Sequence, residues 1–235
     1  MNKRVLGIVA KWLFILALPI LLLTAIIAAT ANSTWLYTGG YEKYGVSQTT
    51  GLDKAELEKV AKGLISYFNS DDEYISLTVV KNGEPFELFN GREIIHLKDV
   101  KALIWLDYRI AMGTFIYCLA YALICLFWQR KKRWRKLAHG LVVASGITLG
   151  LMVALAIGAV TDFGGLWLQF HFLSFANQLW MLDPLRDYLI MLFPEGLFFD
   201  MALFLGSIIV GVAVVLGVVG GVYLRRTKRQ SAGKD

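Results

Sequence analysis

At 235 residues, 57% hydrophobic and 18% charged, with a mean hydropathy of +0.56, the chain departs from the soluble average toward integral membrane proteins. Its formal net charge of +6 would suggest nucleic acid if spread over a soluble surface, but the excess lies in short segments flanking apolar runs, where it orients a membrane protein. Cys118 and Cys125 fall on one face of a single apolar run, too far apart along a helix axis to bond each other, and no pattern of zinc-ligand spacing exists.

Residues 12–31, WLFILALPILLLTAIIAATA, are long enough to cross roughly 30 Å of hydrocarbon, and Lys3, Arg4 and Lys11 precede them. Ala29-Thr30-Ala31 resembles a signal-peptide cleavage site, but the apolar run exceeds the usual h-region of about 7–15 residues. Residues 1–32 are therefore expected to be a cytoplasmic start and an uncleaved first span, bent at Pro19.

Residues 33–107 carry twelve acidic against eight basic side chains and read as a small polar α+β cap. Leu57, Val60, Ala61, Leu64, Ile65 and Phe68 make the stripe of an amphipathic helix, started by Asp53 with Glu56 in a capping-box-like pair and by Leu52 stapled to Leu57. YISLTVVKNGEPFELF then gives two strands joined by Asn82-Gly83, the second an edge or irregular strand because of Pro85. One helix and one hairpin supply too little core to stand alone, so the cap is expected to rest on the membrane domain.

A second span is expected over 108–128, a basic cytoplasmic loop over 129–139, a third span over 140–160, a fourth over 199–223 and a cytoplasmic tail over 224–235. The positive flanks put both termini and the middle loop on the cytoplasmic side, and the cap outside. Gly146 with Gly150 and Gly217 with Gly221 have the four-residue spacing of close helix contacts. Residues 161–198 form an outer loop, apolar in its first half, with Trp167, Trp180 and Tyr188 suited to headgroup depth. Asp183 as N-cap and Pro184 at the first helical position predict a short helix through about Leu192.

The chemistry concentrates in FNGREIIHLKDVK, residues 89–101, where Arg92, Glu93, His96, Asp99 and Lys101 precede an apolar segment. His96 and His171, from separate segments, both fall on the outer side, and such a pair supplies an acid and a base. Asp99 and Arg92 lie three after and four before His96, within reach of its ring on a helix. The bland reading makes each histidine a satisfied structural residue and pairs Asp99 with Arg92 or Lys101. His139 borders the cytoplasmic loop, with no chemical role expected. No serine elbow, SxxK pair or catalytic-cysteine signature points to a covalent acyl-enzyme, and two histidines without a third ligand make a weak metal case.

The run E-x-x-H-L-x-D-V-K at Glu93–Lys101, with F-H-x-x-x-F-x-N-x-x-W-x-L-D-P-x-x-D and a following F-P at Phe170–Pro194, resembles the lipoprotein intramolecular transacylase family. That resemblance, covering nearly the whole chain, implies an α-helical integral membrane protein with four transmembrane helices and a small extracytoplasmic α+β cap. It further implies a multi-pass enzyme of the bacterial cytoplasmic membrane, acting at the outer leaflet on diacylglyceryl-modified lipoproteins amid membrane lipids, without nucleic acid. The sn-2 acyl chain would move from the glyceryl oxygen to the α-amine of the N-terminal cysteine, with no cofactor and no metal. His96 and His171 take the proton-transfer roles, their assignment as base or acid left open. Arg92, Glu93, Asp99, Lys101, Asn177, Trp180 and Asp183 are supporting or substrate-binding candidates. Two other readings stand beside it: a non-enzymatic membrane sensor with a ligand-binding cap, and an acyltransferase acting between molecules. The distance between the two histidine rings separates catalysis from sensing.

Overall fold

A computed structural model of the chain describes residues 3–127 and 130–232. The expected end of the second span at Trp128 and the first residue of the basic loop, Gln129, lie outside the described residues. In chain order the elements are α1 (Lys3–Ala31), α2 (Thr34–Lys43), α3 (Val46–Thr50), α4 (Lys54–Phe68), β1 (Thr78–Lys81), β2 (Glu84–Glu87), α5 (Gly91–Phe127), α6 (Arg130–Ser174), α7 (Tyr188–Leu192) and α8 (Glu195–Ala232).

Four of these, α1, α5, α6 and α8, are long and apolar enough to cross a membrane. They are longer than the expected spans. Helix α5 begins at Gly91, so the polar run carrying His96 shares one continuous helix with the apolar span from Tyr108. Helix α6 includes the basic stretch from Arg130 and continues past residue 160 to Ser174. It breaks once, at Asp162 (φ −159°, ψ 80°), whose carboxylate accepts a 2.8 Å hydrogen bond from the Gly165 N–H and restarts the helix as an internal N-cap. The first half of the expected outer loop is therefore largely helical.

The described chain forms two compact units. One comprises the residues up to Ile27, Tyr108–Ile157 and those from Leu205 on. Its core is Phe14, Ile15, Leu18, Cys118, Tyr121, Cys125 and Ala144, with Phe14 stacked on Tyr121 at 4.6 Å. Both cysteines are buried and neither forms a disulfide. Close helix approach occurs at Gly217 and Gly220: a Cβ on Gly220 would lie 2.7 Å from the Ala138 carbonyl oxygen. Of the four glycines with that spacing only Gly217 meets a neighbour; Gly146, Gly150 and Gly221 have open space where a Cβ would stand, and Gly220 lies outside the spacing. Large exposed apolar side chains such as Phe115, Ile116, Val153 and Val215 suit a lipid surround.

The second unit comprises Ala28–Asp107 and Gly158–Phe204. Helix α4 forms where its stripe predicts, with the Asp53 carboxylate accepting from the Glu56 N–H at 2.8 Å and Leu57, Val60, Ala61, Leu64 and Phe68 buried. The hairpin turns through Asn82 (φ 55°) and Gly83 (φ 85°), both in the left-handed region that a two-residue turn of this hand requires. Pro85 pairs with Val80. The outward N–H of Val80 is taken by the Glu56 carboxylate at 3.0 Å, which ties strand to helix. Helices α2 and α3 were not expected. α2 has no apolar stripe, and α3 is a single short turn between Gly45 (φ 61°) and Gly51 (φ 72°).

The core of this unit draws on both of its chain segments: Tyr37, Tyr41, Leu64, Val79, Leu88 and Leu97 pack with Leu189, Leu192 and Leu197. The cap and the outer loop, separate segments in the sequence reading, thus share one hydrophobic core. Asp183 and Pro184 do not open a helix. They form a turn closed by the Asp187 N–H on the Asp183 carbonyl at 2.8 Å, and α7 starts only at Tyr188 after Asp187.

Candidate active site

The start of α5 is built by a reciprocal cap. The Asn90 side-chain oxygen accepts from the backbone N–H groups of Arg92 and Glu93, while the Glu93 carboxylate accepts from the Asn90 N–H at 2.8 Å. The second Glu93 oxygen accepts from the Leu189 N–H at 2.6 Å, so this wholly buried carboxylate joins the α5 start to α7. Asn90 extends the link by donating to Asp187 at 2.8 Å, and the other Asp187 oxygen accepts from the Asp183 N–H at 2.7 Å.

Two further bonds hold the irregular segment between α6 and α7. The Arg92 guanidinium donates to the Gln178 carbonyl at 2.9 Å, and the Asn177 amide donates to Asp99 at 2.8 Å. Each joins residues separated by 78 or more positions in the chain. The segment carrying Phe175 and Trp180 is thereby fastened along the first turns of α5.

Within that frame His96 and His171 come together with ring centroids 6.4 Å apart, exposed by only 6% and 9%. Phe175 lies edge-on to His96 at 5.0 Å; around His171 stand Trp167 at 4.6 Å, Trp180 at 4.9 Å, Phe170 at 5.4 Å and Phe175 at 5.7 Å. The Nδ1 of His171 is 2.8 Å from the Trp167 carbonyl oxygen, four residues back on the helix. A carbonyl only accepts, so Nδ1 donates, and in the neutral ring Nε2 is left with its lone pair free. The buried Nδ1 of His96 has no hydrogen-bond partner, and neither does the buried Nε1 of Trp180.

The other expected site residues divide. Asp99 leaves the His96 Nδ1 without a partner and instead accepts from the Asn177 amide. Lys101 is turned away into a separate contact: its ammonium donates to the Asp72 carbonyl at 2.6 Å and the Ser70 hydroxyl at 3.3 Å, over the Tyr67 ring at 4.3 Å. Asp183 holds its own turn by accepting from the Leu185 N–H at 2.9 Å. Asn90, Phe175 and Asp187 were not expected to take part, and Trp167 was expected only at headgroup depth. Asn90 followed three residues later by Glu93 was readable as a cap, and Trp167 as the i−4 neighbour of His171; nothing local marked Asp187. Among the described residues no three His, Cys, Asp or Glu side chains gather in a way that could hold a metal ion.

The model of the family described as "Lipoprotein intramolecular transacylase Lit" matches residues 12–199. The chain belongs to this family. Lit enzymes are acyltransferases, and the long apolar helices fit a membrane-integral member. Its fold is that of the membrane-integral lipoprotein intramolecular transacylase Lit from Bacillus cereus, with a TM-score of 0.77 at 17% identity over 97% of this chain and 100% of that one. Two further structures of the Bacillus cereus protein, with one histidine replaced by arginine or by alanine, each match with a TM-score of 0.73 at 19% identity. They cover 97% of this chain and 96% and 97% of theirs, respectively. At these identities the likeness is one of fold. Among curated proteins, none matches the sequence.

Proposed function

We propose that this Lit family member moves the sn-2 acyl chain of a diacylglyceryl lipoprotein onto the α-amine of its N-terminal cysteine, using His96 and His171 for proton transfer. The observation that carries the reading is the pair of buried histidine rings 6.4 Å apart inside an aromatic shell. A non-enzymatic sensor gives no reason to bury two such rings side by side.

The amine nitrogen attacks the ester carbonyl carbon, the carbonyl becomes an oxyanion, and collapse breaks the bond to the glyceryl oxygen. One proton leaves the amine and one reaches the glyceryl oxygen, so ester and amine become amide and alcohol with no net proton change. The free lone pair on His171 Nε2 suits the acceptor role, and the proton it takes from the amine is the one the leaving glyceryl oxygen receives, relayed by His96. Even edge to edge, the ring separation keeps the nitrogens about 4 Å apart, beyond hydrogen-bond reach. A proton moving between the rings has to cross a substrate atom or a water.

The attack closes a roughly eight-membered ring through Cα, Cβ, sulfur and two glyceryl carbons. Confinement among Trp167, Phe170, Phe175 and Trp180 favours that folded geometry over the many extended ones. In this reading the site faces the outer leaflet of a bacterial cytoplasmic membrane, with both chain ends cytoplasmic as the flanking positive charge requires. Residues 33–107 and 161–198 form the outer part, and residues 12–31, 108–128, 140–160 and 199–223 provide the crossings. Arg92, Asn177 and Asp99 act by holding the segment that carries Phe175 and Trp180.

The test is tandem mass spectrometry of a diacylglyceryl-cysteinyl lipopeptide incubated with the purified chain, in which fragmentation locates the acyl chain on nitrogen or oxygen. The expected product is the N-acyl lyso form of unchanged total mass, and His96→Ala and His171→Ala should each lower turnover at least about 10²-fold while folding normally. Unchanged lipopeptide with well-folded protein refutes the function; full turnover in either variant removes that histidine from the chemistry.

A further inference from the structure

We infer that the indole N–H of Trp180 is the hydrogen-bond donor to the carbonyl oxygen of the transferred acyl group, stabilising the oxyanion formed when the amine attacks. The inference rests on the proposed transacylation and adds the group that receives the developing negative charge. His96 and His171 do not supply it, since both are committed to moving protons.

The Trp180 ring lies 4.9 Å from the His171 ring at an interplanar angle of 36°, and Phe172 stands edge-on to its other side at 5.2 Å. The indole is thus held by its faces and edges while Nε1 is buried without a partner. An indole nitrogen only donates, and a buried donor left unpaired destabilises the fold. Phenylalanine would fill much of the same space and make the same ring contacts without that cost. A tryptophan there is accounted for if a substrate atom satisfies the N–H during the reaction.

Arg92, Asn177 and Lys101 are each already turned to a protein acceptor: Arg92 to the Gln178 carbonyl, Asn177 to Asp99, and Lys101 to Ser70 and Asp72. A carbonyl whose attacking amine is within reach of His171 Nε2 lies beside the indole. As attack proceeds, the carbonyl oxygen gains the electron pair of the breaking C=O π bond, and a donor fixed in a water-poor pocket strengthens as that charge develops. Collapse returns the pair to the carbonyl and expels the glyceryl oxygen, which takes a proton.

The experiment compares wild type, Trp180→Phe and a protein with benzothienylalanine at position 180, which keeps the two-ring shape but has no N–H. The substrate is a synthetic diacylglyceryl-cysteinyl peptide with a free amine in lipid nanodiscs. The expected result is a fall in kcat of about 10²–10³-fold in both variants, with KM within about threefold and an unchanged melting temperature. Wild-type kcat in the benzothienylalanine protein overturns the inference while leaving the histidine chemistry intact, even if Trp180→Phe folds poorly. A wild-type enzyme that makes no lyso product overturns the proposed function and this inference with it.

Discussion

Replacing Glu93 with glutamine tests whether this buried carboxylate is a clamp or a chemical group. Its two oxygens accept from the Asn90 and Leu189 backbone N–H groups at 2.8 and 2.6 Å, and it has no exposed surface. A glutamine keeps one acceptor and turns an NH2 group toward the other N–H, so two buried donors face each other. Each unmet donor costs about 1–3 kcal/mol, and the weaker neutral bond on the retained side adds to the loss. The expected destabilisation is about 2–4 kcal/mol. At about 2–4 °C per kcal/mol for a chain of this size, the melting midpoint of the purified protein falls by about 4–16 °C. Lipopeptide turnover measured well below the new midpoint stays within about threefold of wild type, because both oxygens are occupied by backbone and reach no reacting atom. Asp183→Ala, which loses only an exposed ion pair with Arg186 and a turn contact, serves as the mild control. The reasoning fails if E93Q melts like wild type, and a normal melting point with turnover abolished would make Glu93 part of the chemistry.

Tyr41 is buried with its hydroxyl unpartnered, and burial, helped by Tyr37, pushes the phenol above its ordinary range so that it stays protonated. Tyr41→Phe should therefore leave stability unchanged or raise it by about 1 kcal/mol; a fall of similar size in the melting curve would reveal a bond the hydroxyl makes. In the other unit, Gly220→Ala drives a Cβ against the Ala138 carbonyl and should lower the melting midpoint and the yield of monodisperse protein. Gly221→Ala, in open space, should be neutral or stabilising by up to about 1 kcal/mol through helix propensity. Equal behaviour of the two glycine variants on size-exclusion and thermal assays would refute the assigned helix contact.

Much of the architecture was legible because its signals are local. The stripe of α4 and its Asp53 cap lie within one short stretch, and Asn82-Gly83 imposes the two positive φ angles of the turn by itself. Helix α2 escaped because Thr34–Lys43 carries two glycines and no stripe, and it is held by tertiary burial of Tyr37 and Tyr41. The continuation of α6 escaped because Thr161-Asp162-Phe163-Gly164-Gly165 reads as a breaker, whereas the Asp162 carboxylate uses the Gly165 N–H to restart the helix. The short helix after Asp183 was misplaced because Asp183-Pro184 carries the local signal for a helix start, whereas the turn that forms there is selected by the bonds Asp187 makes with the Asn90 amide and the Asp183 N–H.

The candidate site shows the same division. Composition, charge flanks and the two motifs determined a four-span membrane enzyme and named both histidines, because hydrophobic runs and residue spacing are properties of the chain alone. What only the tertiary structure decided is which polar groups meet. His96 and His171 are joined across 75 positions, Lys101 is drawn off to Ser70 and Asp72, Glu93 is spent on the Leu189 N–H, and the Trp180 N–H is left without a partner. The physical reason is that a buried polar group takes whichever complementary partner packing brings to it, and in this chain those partners come from segments that local spacing does not connect.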